Sequence, residues 1–319
     1  MEASYRPPWW YRGRHLQTVW GPLFRWPHRP PLRRERWHTP DGDFLDLDWL
    51  GGEGPLVLLL HGLEGSSGSH YAAGLLREAA ALGWRAVVLH FRSCSGELNR
   101  TRRLYHAGET SDLDWVVGRL GAREPSTPLG LVGVSLGGNV ALKWLGERGE
   151  GAPAQVRAAA TISTPFDLTA CAEGLDRGLN RLLYTARFLR SMKAKVRAKR
   201  QLYDGLVNVP AALRARTFAV YDRFATAPIN GFADERDYWT RASCGPYLGR
   251  IRRPCLLINA ANDPFTPLST LPAATVAASP WLETAFLPEG GHVGFLEGRW
   301  GRRSWAERRA LAFLRGHLS

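Results

Sequence analysis

Short apolar runs alternate with longer amphipathic segments along most of this chain. The apolar runs have the length of buried strands, and the segments between them repeat apolar residues at helical spacing. The predicted strands are residues 55–60, 85–91, 129–132, 156–163, 254–259 and 284–287, preceded by two antiparallel strands within residues 37–50. The predicted helices are residues 71–82, 110–120, 137–145 and 305–317. Strands that alternate with helices in this way predict an α/β fold, in which helices cover both faces of a mostly parallel central sheet.

The alternation is absent at the start of the chain. Residues 1–40 are rich in Pro, Trp and Arg and show no regular period. They contain too many large aromatic side chains for a disordered tail, so we predict an N-terminal arm that packs along the core. These aromatic residues are Trp9, Trp10, Trp20, Phe24 and Trp26.

The alternation also stops across residues 166–245. Within this block, residues 181–200 form a basic amphipathic stretch. Its apolar side contains Leu182, Leu183, Leu189, Met192 and Val196. We predict that the block is a helical cap insertion that lies over the strand ends and has no core of its own. The predicted core then consists of residues 41–165 and 246–319.

The composition is that of an ordinary globular protein. Of the 319 residues, 45% are hydrophobic and 22% are charged, and no apolar run approaches the roughly 18 residues that span a bilayer. The N-terminus shows no charged start followed by a hydrophobic stretch, so we expect no secretory signal. Cys94, Cys171, Cys244 and Cys255 are irregularly spaced, which favours reduced thiols over a disulfide framework or a zinc site. We therefore expect a cytoplasmic protein.

The net charge of +13 is concentrated in residues 6–36, 181–216 and 299–315. Such charge favours peripheral contact with an anionic membrane surface, such as the inner face of the cell membrane. Most of these residues are arginines, and solvated arginines without a special partner are the alternative. No helix-turn-helix, zinc-finger or RNA-binding aromatic motif is present, so we expect no nucleic-acid partner.

The segment Gly133-Val134-Ser135-Leu136-Gly137 carries the strongest chemical signal. It lies between a predicted strand and a predicted helix, and it matches the nucleophile elbow, a tight turn that exposes a reactive serine. Side chains two residues before and two residues after the serine would collide with neighbouring backbone, and glycine removes that collision. The helix N-terminus behind the serine favours developing negative charge. Ser135 is therefore the predicted nucleophile.

A serine nucleophile needs a histidine to take its proton and a buried carboxylate to orient the histidine. In the α/β-hydrolase arrangement these residues follow the serine in the order acid, then histidine. Asp263 follows the predicted strand 254–259, and His292 follows the predicted strand 284–287. Both therefore lie beyond strand ends, where such folds place their ligands. We predict a catalytic triad of Ser135, Asp263 and His292.

The tetrahedral intermediate of acyl transfer needs two donors for its oxyanion. The Leu136 amide, directly after the nucleophile, is the first predicted donor. The second should come from the loop after the strand 55–60, where residues 61–65 read His-Gly-Leu-Glu-Gly. We favour the Leu63 amide within that loop.

The chain resembles the YheT-like α/β-hydrolases over almost its whole length. The motifs that carry the resemblance are HGLEG at residues 61–65, HFRSCSGE at 90–97, YHAGET at 105–110 and NDPF at 262–265, with HLQT at 15–18 and the block 226–239. The resemblance implies the α/β-hydrolase fold and a serine esterase or lipase that uses neither a metal nor an organic cofactor. It places the triad on Ser135, Asp263 and His292. Family relatives include phospholipases and medium-chain alcohol acyltransferases. One departure is Ser93, where the family more often has glycine.

Several polar residues of these motifs have no catalytic role that the sequence supports. We expect Arg92, Glu97 and Glu109 to hydrogen-bond the loops under the site; the alternative is that His106 or Glu109 contacts substrate. His61 and His90 also end predicted strands. Neither has a partner acid at a suitable offset, so we expect both to anchor loops.

The leading functional hypothesis is a serine carboxylesterase that acts on small esters or lipids with hydrophobic acyl chains. A membrane-associated phospholipase or an alcohol acyltransferase is the second hypothesis, since the basic cap stretch combines positive charge with an apolar face. The third is a non-catalytic binding protein that keeps the hydrolase fold. The sequence carries no signal for an oligomeric state.

Overall fold

The central sheet consists of strands that are buried on both faces. All five residues of Leu56–Leu60 are buried, and because successive side chains of a strand point to opposite faces, such a strand needs a covering layer on each side. The structure, a computed structural model, describes residues 5–25 and 28–318. Trp26, which the sequence analysis assigned to the aromatic arm, lies outside the described residues.

Within the described residues, eight strands form one sheet in the order β1-β2-β4-β3-β5-β6-β7-β8. The first two strands run antiparallel to their neighbours, and the other six are parallel. The predicted mostly parallel sheet is therefore confirmed. A short antiparallel pair, β9 and β10, was not predicted. The strands are β1 (Arg33–His38), β2 (Phe44–Leu50), β3 (Leu56–Leu60), β4 (Arg85–Leu89), β5 (Leu129–Val134), β6 (Val156–Ile162), β7 (Cys255–Ala260), β8 (Leu282–Leu287), β9 (Leu296–Glu297) and β10 (Arg303–Ser304).

Helices cover both faces of the sheet, as predicted. Val57 and Leu59 of β3 pack with helices α2 and α13 on one face. Leu58 and Leu60 pack with α3 and α4 on the other. The helices are α1 (Arg14–Phe24), α2 (His70–Ala81), α3 (Ser111–Arg123), α4 (Leu136–Arg148), α5 (Leu168–Leu175), α6 (Gly178–Asn180), α7 (Ala186–Ala198), α8 (Val209–Arg214), α9 (Phe218–Tyr221), α10 (Ala227–Ile229), α11 (Glu235–Ala242), α12 (Ala273–Ala277) and α13 (Trp305–Leu318).

Helices α5 to α11 lie between β6 and β7 and form the helical insertion. Their buried side chains, among them Leu189, Val196 and Phe218, belong to the same apolar cluster as Leu136 beside the nucleophile elbow. The insertion therefore shares the core of the sheet and does not bury a separate one.

The apolar stripe predicted across residues 181–200 is only partly correct. Leu189 and Val196 are buried, but Leu182 and Leu183 are 66% and 45% exposed. The cause is a π-helical turn at Arg181–Thr185. Leu182 and Leu183 lie within this turn, which holds more residues than an α turn, so their phase differs from that of the α-helix that follows. Leu182 and Leu183 consequently leave the face that Leu189 and Val196 share.

The N-terminal arm contacts the core through fewer aromatic residues than predicted. Trp9 and Phe24 are 81% and 61% exposed, while Gln17 and Thr18 are buried. Residues 33–38, within the predicted arm, form the edge strand β1. The end of α1 is fixed by Arg25, whose guanidinium donates two hydrogen bonds to the Glu307 carboxylate on α13.

Arg25 and Glu307 form an ion pair that is almost fully buried, with side chains 2% and 3% exposed. Arg25→Leu is expected to lower the free energy of unfolding by about 3–5 kcal/mol, because it leaves the Glu307 carboxylate buried without its partner. Urea denaturation followed by tryptophan fluorescence measures this loss. The control is Arg25→Leu combined with Glu307→Leu, which removes both charges and should recover most of the stability. A double variant as unstable as the single one would contradict the prediction.

Candidate active site

Ser135 occupies a sharp turn between β5 and α4. Its φ and ψ of 54° and −120° lie outside the regions that L-residues normally adopt, and its amide donates to Ile162 O on the neighbouring strand at 2.8 Å. A Cβ atom added to Gly133 would lie 2.5 Å from Gly137 O, and one added to Gly137 would overlap Leu60 O. The two glycines are thus required by close backbone contacts, as the elbow motif predicts.

The structure brings together the three residues that the sequence analysis selected. His292 Nε2 lies 2.8 Å from Ser135 Oγ, and His292 Nδ1 lies 2.8 Å from Asp263 Oδ2. The Asp263 side chain is fully buried, and its Oδ1 accepts a hydrogen bond from the Phe265 amide at 2.7 Å. An Nδ1–H that donates to Asp263 leaves Nε2 free to accept the serine proton. This arrangement can therefore activate the Ser135 hydroxyl.

Packing and backbone contacts fix the orientation of the imidazole. The ring of Phe265 stacks on His292, with centroids 4.0 Å apart and planes 19° from parallel. Val293, directly after the histidine, has a φ of 60°, which is a strained conformation for a β-branched residue. Its amide donates to Ser163 Oγ at 2.9 Å. The loop is thus held in one geometry from both sides of His292.

The Leu63 amide, in the loop after β3, has no hydrogen-bond acceptor among the residues that the structure describes. The Gly62 amide donates to the Tyr71 hydroxyl and the Glu64 amide to the Tyr105 hydroxyl, each at 2.8 Å. The Leu63 amide lies between these two occupied donors. Leu136 is the first residue of α4, so its amide has no acceptor within the helix. Both leucines line the same cavity as Ser135. Their amides stay the predicted oxyanion donors.

The N-terminal arm holds the loops that carry Asp263 and His292. Gln17 Oε1 accepts hydrogen bonds from Asn262 Nδ2 at 2.8 Å and from the Gly290 amide at 3.0 Å. Thr18 Oγ1 accepts from the His292 amide at 3.0 Å. The sequence analysis missed this function. The only signal was the motif at residues 15–18, which the resemblance identified without assigning a role to it.

The glycines around His292 are explained by the same arm. A Cβ atom on Gly291 would lie 2.8 Å from Gln17 Cβ, and one on Gly294 would overlap Gln17 O. The Tyr11 hydroxyl donates to Gly294 O at 2.6 Å. Glycine is needed at these positions because the arm approaches the loop closely.

A cavity of about 700 Å³, counting its opening to solvent, lies between the cap and the strand ends. Ser135 and His292 form part of its wall, and among the described lining residues Asp222 carries the one carboxyl group. The rest of the lining is mainly apolar and comes largely from the cap. These apolar residues include Leu168, Ala172, Leu175, Phe188, Met192, Phe218 and Phe265.

The polar motif residues beneath the site form ion pairs that connect loops. Arg92 donates to Asp112 and to Asp43, at 2.8 and 2.9 Å, and Glu97 accepts from Arg36 at 2.8 Å. These contacts agree with the expected structural roles. Ser93 has a φ of 65°, a conformation that favours glycine, which accounts for the glycine that the family more often has there.

His106 lines a second cavity, which is about 460 Å³ and shares Leu63 and Leu136 with the first. Burial lowers the pKa of His106 to about 4, so its imidazole is neutral at pH 7. Glu109 does not line either cavity; it accepts a hydrogen bond from Ser111 Oγ at 2.6 Å. Contact between His106 and substrate stays a prediction.

His61 and His90 both anchor loops, but one part of the prediction is wrong. His61 Nε2 accepts the Phe91 amide at 3.1 Å, and burial lowers the pKa of His61 to about 3. His90 does have a partner acid, because its Nε2 lies 2.9 Å from Asp48 Oδ2. Asp48 is on β2, which pairs with β4 in the sheet. Sequence offset could not show this contact because it depends on strand pairing.

Two further features bear on cofactors and membranes. Among the described residues, no group of three or more His, Cys, Asp or Glu side chains is arranged to hold a metal ion. None of the helices described above is both long enough and apolar enough to cross a membrane.

Comparison with known proteins decides the family. A model of the alpha/beta hydrolase fold matches residues 55–299. The chain belongs to the α/β-hydrolase family. This hydrolase is 38% identical over 303 residues to the Escherichia coli YheT protein, provisionally named an esterase, with 93% of this chain and 88% of that protein covered. The resemblance to YheT-like proteins is thus confirmed.

Two other comparisons agree with this assignment. The hydrolase is 32% identical over 315 residues to phospholipase ABHD3 of Homo sapiens, with 95% of this chain and 76% of that protein covered. The esterase Pf2001 of Pyrococcus furiosus has a TM-score of 0.59 at 17% identity, with 92% and 99% of the two chains covered. At that identity the second similarity concerns the fold alone. Family and relatives together support a hydrolase of the esterase or lipase kind.

The hydroxyl of Thr18 is expected to control the reactivity of Ser135. Thr18→Val removes the acceptor of the His292 amide with little change in shape, which should slow reaction of the hydrolase with a fluorophosphonate about 10- to 100-fold by displacing the imidazole. The half-saturating probe concentration should change little, because Thr18 does not line the cavity. Thr18→Ser keeps the hydroxyl and is the matched control. Equal rates for the valine and serine variants would refute this role.

Proposed function

We propose that this hydrolase is a serine carboxylesterase. The observation that carries the proposal is the continuous hydrogen-bonded series from Ser135 through His292 to Asp263, with both contacts at 2.8 Å. Acyl transfer needs a nucleophile, a base and an orienting acid within this reach. All three groups lie beyond strand ends, and Ser135 and His292 line a cavity of about 700 Å³.

In the proposed reaction, Ser135 Oγ attacks the carbonyl carbon of an ester while His292 Nε2 takes the hydroxyl proton. The Leu63 and Leu136 amides stabilise the oxyanion of the tetrahedral intermediate. His292 then returns the proton to the departing alcohol, which leaves an acyl group on Ser135. Water, deprotonated by the same imidazole, attacks this acyl-enzyme. The imidazolium returns the proton to Ser135 Oγ as the bond to the acyl group breaks and the acid is released. Asp263 stabilises the imidazolium in both steps.

The proposed substrates are esters with hydrophobic groups. The cavity wall is mainly apolar, so transfer of hydrocarbon from water into it is favourable by about 0.8 kcal/mol for each buried methylene. The names of the relatives, an esterase by provisional assignment and a phospholipase, are consistent with an ester of a fatty acid. The non-catalytic alternative is less well supported, since the hydrogen bonds of the serine and the histidine are both intact.

Ser135→Ala should abolish hydrolysis of p-nitrophenyl esters, with a fall in kcat of at least about 10⁴-fold, while circular dichroism shows an unchanged fold. Ser126→Ala is the matched control, because Ser126 is exposed in the loop between α3 and β5 and should behave as the wild type. Fluorophosphonate should label the wild type and Ser126→Ala, and it should not label Ser135→Ala. Ester turnover or labelling that survives in Ser135→Ala would exclude the proposal, and a wild type inert in both assays would favour a binding protein.

A second candidate function is hydrolysis of lipids at an anionic membrane. It is favoured by the exposed leucines of the cap: Leu179 and Leu182 are 61% and 66% exposed. Exposed arginines at Arg181 and Arg187 flank them. The arm contacts this region through a hydrogen bond between His15 and the Tyr184 hydroxyl, at 2.9 Å. Apolar side chains beside cations are typical of interfacial surfaces.

Vesicle co-sedimentation tests this candidate. The protein should bind vesicles of phosphatidylcholine and phosphatidylglycerol more tightly than vesicles of phosphatidylcholine alone, because the arginines attract anionic lipid. The double variant Leu182→Asp/Leu183→Asp should weaken binding at least tenfold, since each buried leucine contributes about 1.5–3 kcal/mol. Leu82→Asp/Leu98→Asp, at two surface leucines outside the cap that are 37% and 38% exposed, is the charge-matched control. No preference for the anionic vesicles at low salt would dispose of the membrane hypothesis.

A further inference from the structure

Asp222 is a buried carboxyl group in the wall of the active-site cavity. It lies on the cap, at the first position of a π-helical turn, Asp222–Thr226, and only 5% of its surface is exposed. The cavity that it lines also contains Ser135 and His292. π-helical turns interrupt regular α-helix and occur frequently at functional sites. The proposed catalytic mechanism does not use this residue.

Internal hydrogen bonds occupy only part of the acceptor capacity of Asp222. Its Oδ1 accepts from Thr226 Oγ1 at 2.5 Å, and its Oδ2 accepts from Trp239 Nε1 at 2.8 Å. A carboxylate has about four acceptor positions, so each oxygen keeps capacity for one more hydrogen bond. A group of the substrate inside the cavity can use it.

Asp222 also has no cationic partner to neutralise it. Within residues 5–25 and 28–318, no Lys, Arg or His forms an ion pair with it, and the charged groups that act on it, Asp176 and Glu235, are acidic. Burial raises the pKa of Asp222 to about 7. Both protonation states are therefore present near neutral pH. A cavity that binds only hydrocarbon does not need a buried carboxyl group, because burying such a group is unfavourable. In apolar pockets, a few polar groups fix the orientation of the bound ligand and provide specificity.

We propose that Asp222 forms a hydrogen-bonding subsite for a hydroxyl group of the ester substrate. A hydroxyl donates to a carboxylate and accepts from a carboxylic acid, so it pairs with Asp222 in either protonation state. An ammonium group would need the ionised form, and a ketone would need the protonated form. A plain alkyl group leaves the buried carboxyl without a partner, which disfavours its binding. This subsite rests on the proposed esterase function.

The hydroxyl can belong to either part of the ester. The acyl arm of the test compares p-nitrophenyl esters of monohydroxylated fatty acids, with the hydroxyl at successive carbons, against the unsubstituted ester of equal length. The alcohol arm compares a glycerol monoester with the propyl ester of the same acid. In each arm the measured quantity is the ratio of kcat/KM for the hydroxylated substrate to that for its matched alkyl substrate.

The wild type should favour the hydroxylated substrate at least tenfold in one arm. Asp222→Leu should reduce that ratio by about tenfold or more while it retains turnover of the alkyl ester. Thr226→Val is the matched control, because it removes the internal hydrogen bond from Thr226 Oγ1 and leaves the carboxyl in place, and Thr226 does not line the cavity that contains Ser135. Its ratio should equal that of the wild type. If Asp222→Leu does not fold, the isosteric variant Asp222→Asn is measured instead. Its ratio should lie between that of the wild type and that expected for Asp222→Leu.

The outcomes separate this subsite from the esterase proposal. Equal ratios in the wild type and Asp222→Leu, or equal falls in Asp222→Leu and Thr226→Val, would overturn the subsite and leave the esterase proposal intact. A wild-type preference for amino-substituted over hydroxylated esters would likewise overturn it, in favour of a cation site. If the wild type hydrolyses none of the esters and does not react with fluorophosphonate, the esterase proposal itself fails.

Discussion

One glutamine side chain couples the two loops that carry Asp263 and His292. The carbonyl oxygen of Gln17 accepts from the side chain of Asn262 and from the amide of Gly290. Both loops lie beyond strand ends, so strand pairing alone does not set the distance between them. Gln17 is fully buried, and its removal would leave two donors unpaired in a region closed to water, at about 1–3 kcal/mol each. The separation of the acid from the base thus depends on a residue of the N-terminal arm.

The site also stores backbone strain in several non-glycine residues. Glu64, Ser135, Ser163 and Val293 have φ angles between 54° and 60°, a conformation that costs of order 1–3 kcal/mol for each such residue. These residues belong to the loops after β3, β5, β6 and β8, and two of them contact each other because Ser163 Oγ accepts the Val293 amide. The packed sheet below maintains this strain. A rigid core is therefore a condition for the geometry of the site as well as for stability.

Local patterns predicted the sheet, its covering helices and the positions of Ser135, Asp263 and His292, because each of these depends on short-range periodicity or on a motif at a strand end. The sequence could not reveal the contacts that cross the fold. Gln17 lies 245 residues from Asn262, and no local signal connects them. Leu182 was wrongly predicted to lie on the same helix face as Leu189 and Val196. A π turn changes the direction in which the side chain points, and no distinctive sequence pattern marks such a turn. Asp222 in the cap is not part of any motif that the sequence analysis found. It is distinguished only by its burial in the cavity that also contains Ser135 and His292.

The cap contributes charge to the site as well as apolar surface. Lys195 on α7 donates to Glu64 Oε1 at 2.6 Å, and the Tyr105 hydroxyl donates to the same oxygen at 2.7 Å. Glu64 directly follows Leu63, the proposed oxyanion donor, and both side chains of the ion pair are mostly buried. Breaking such a pair is costly because each charge would lose its partner without full access to water. A movement of α7 away from the sheet would have to break it, so α7 and the loop that contains Leu63 stabilise each other.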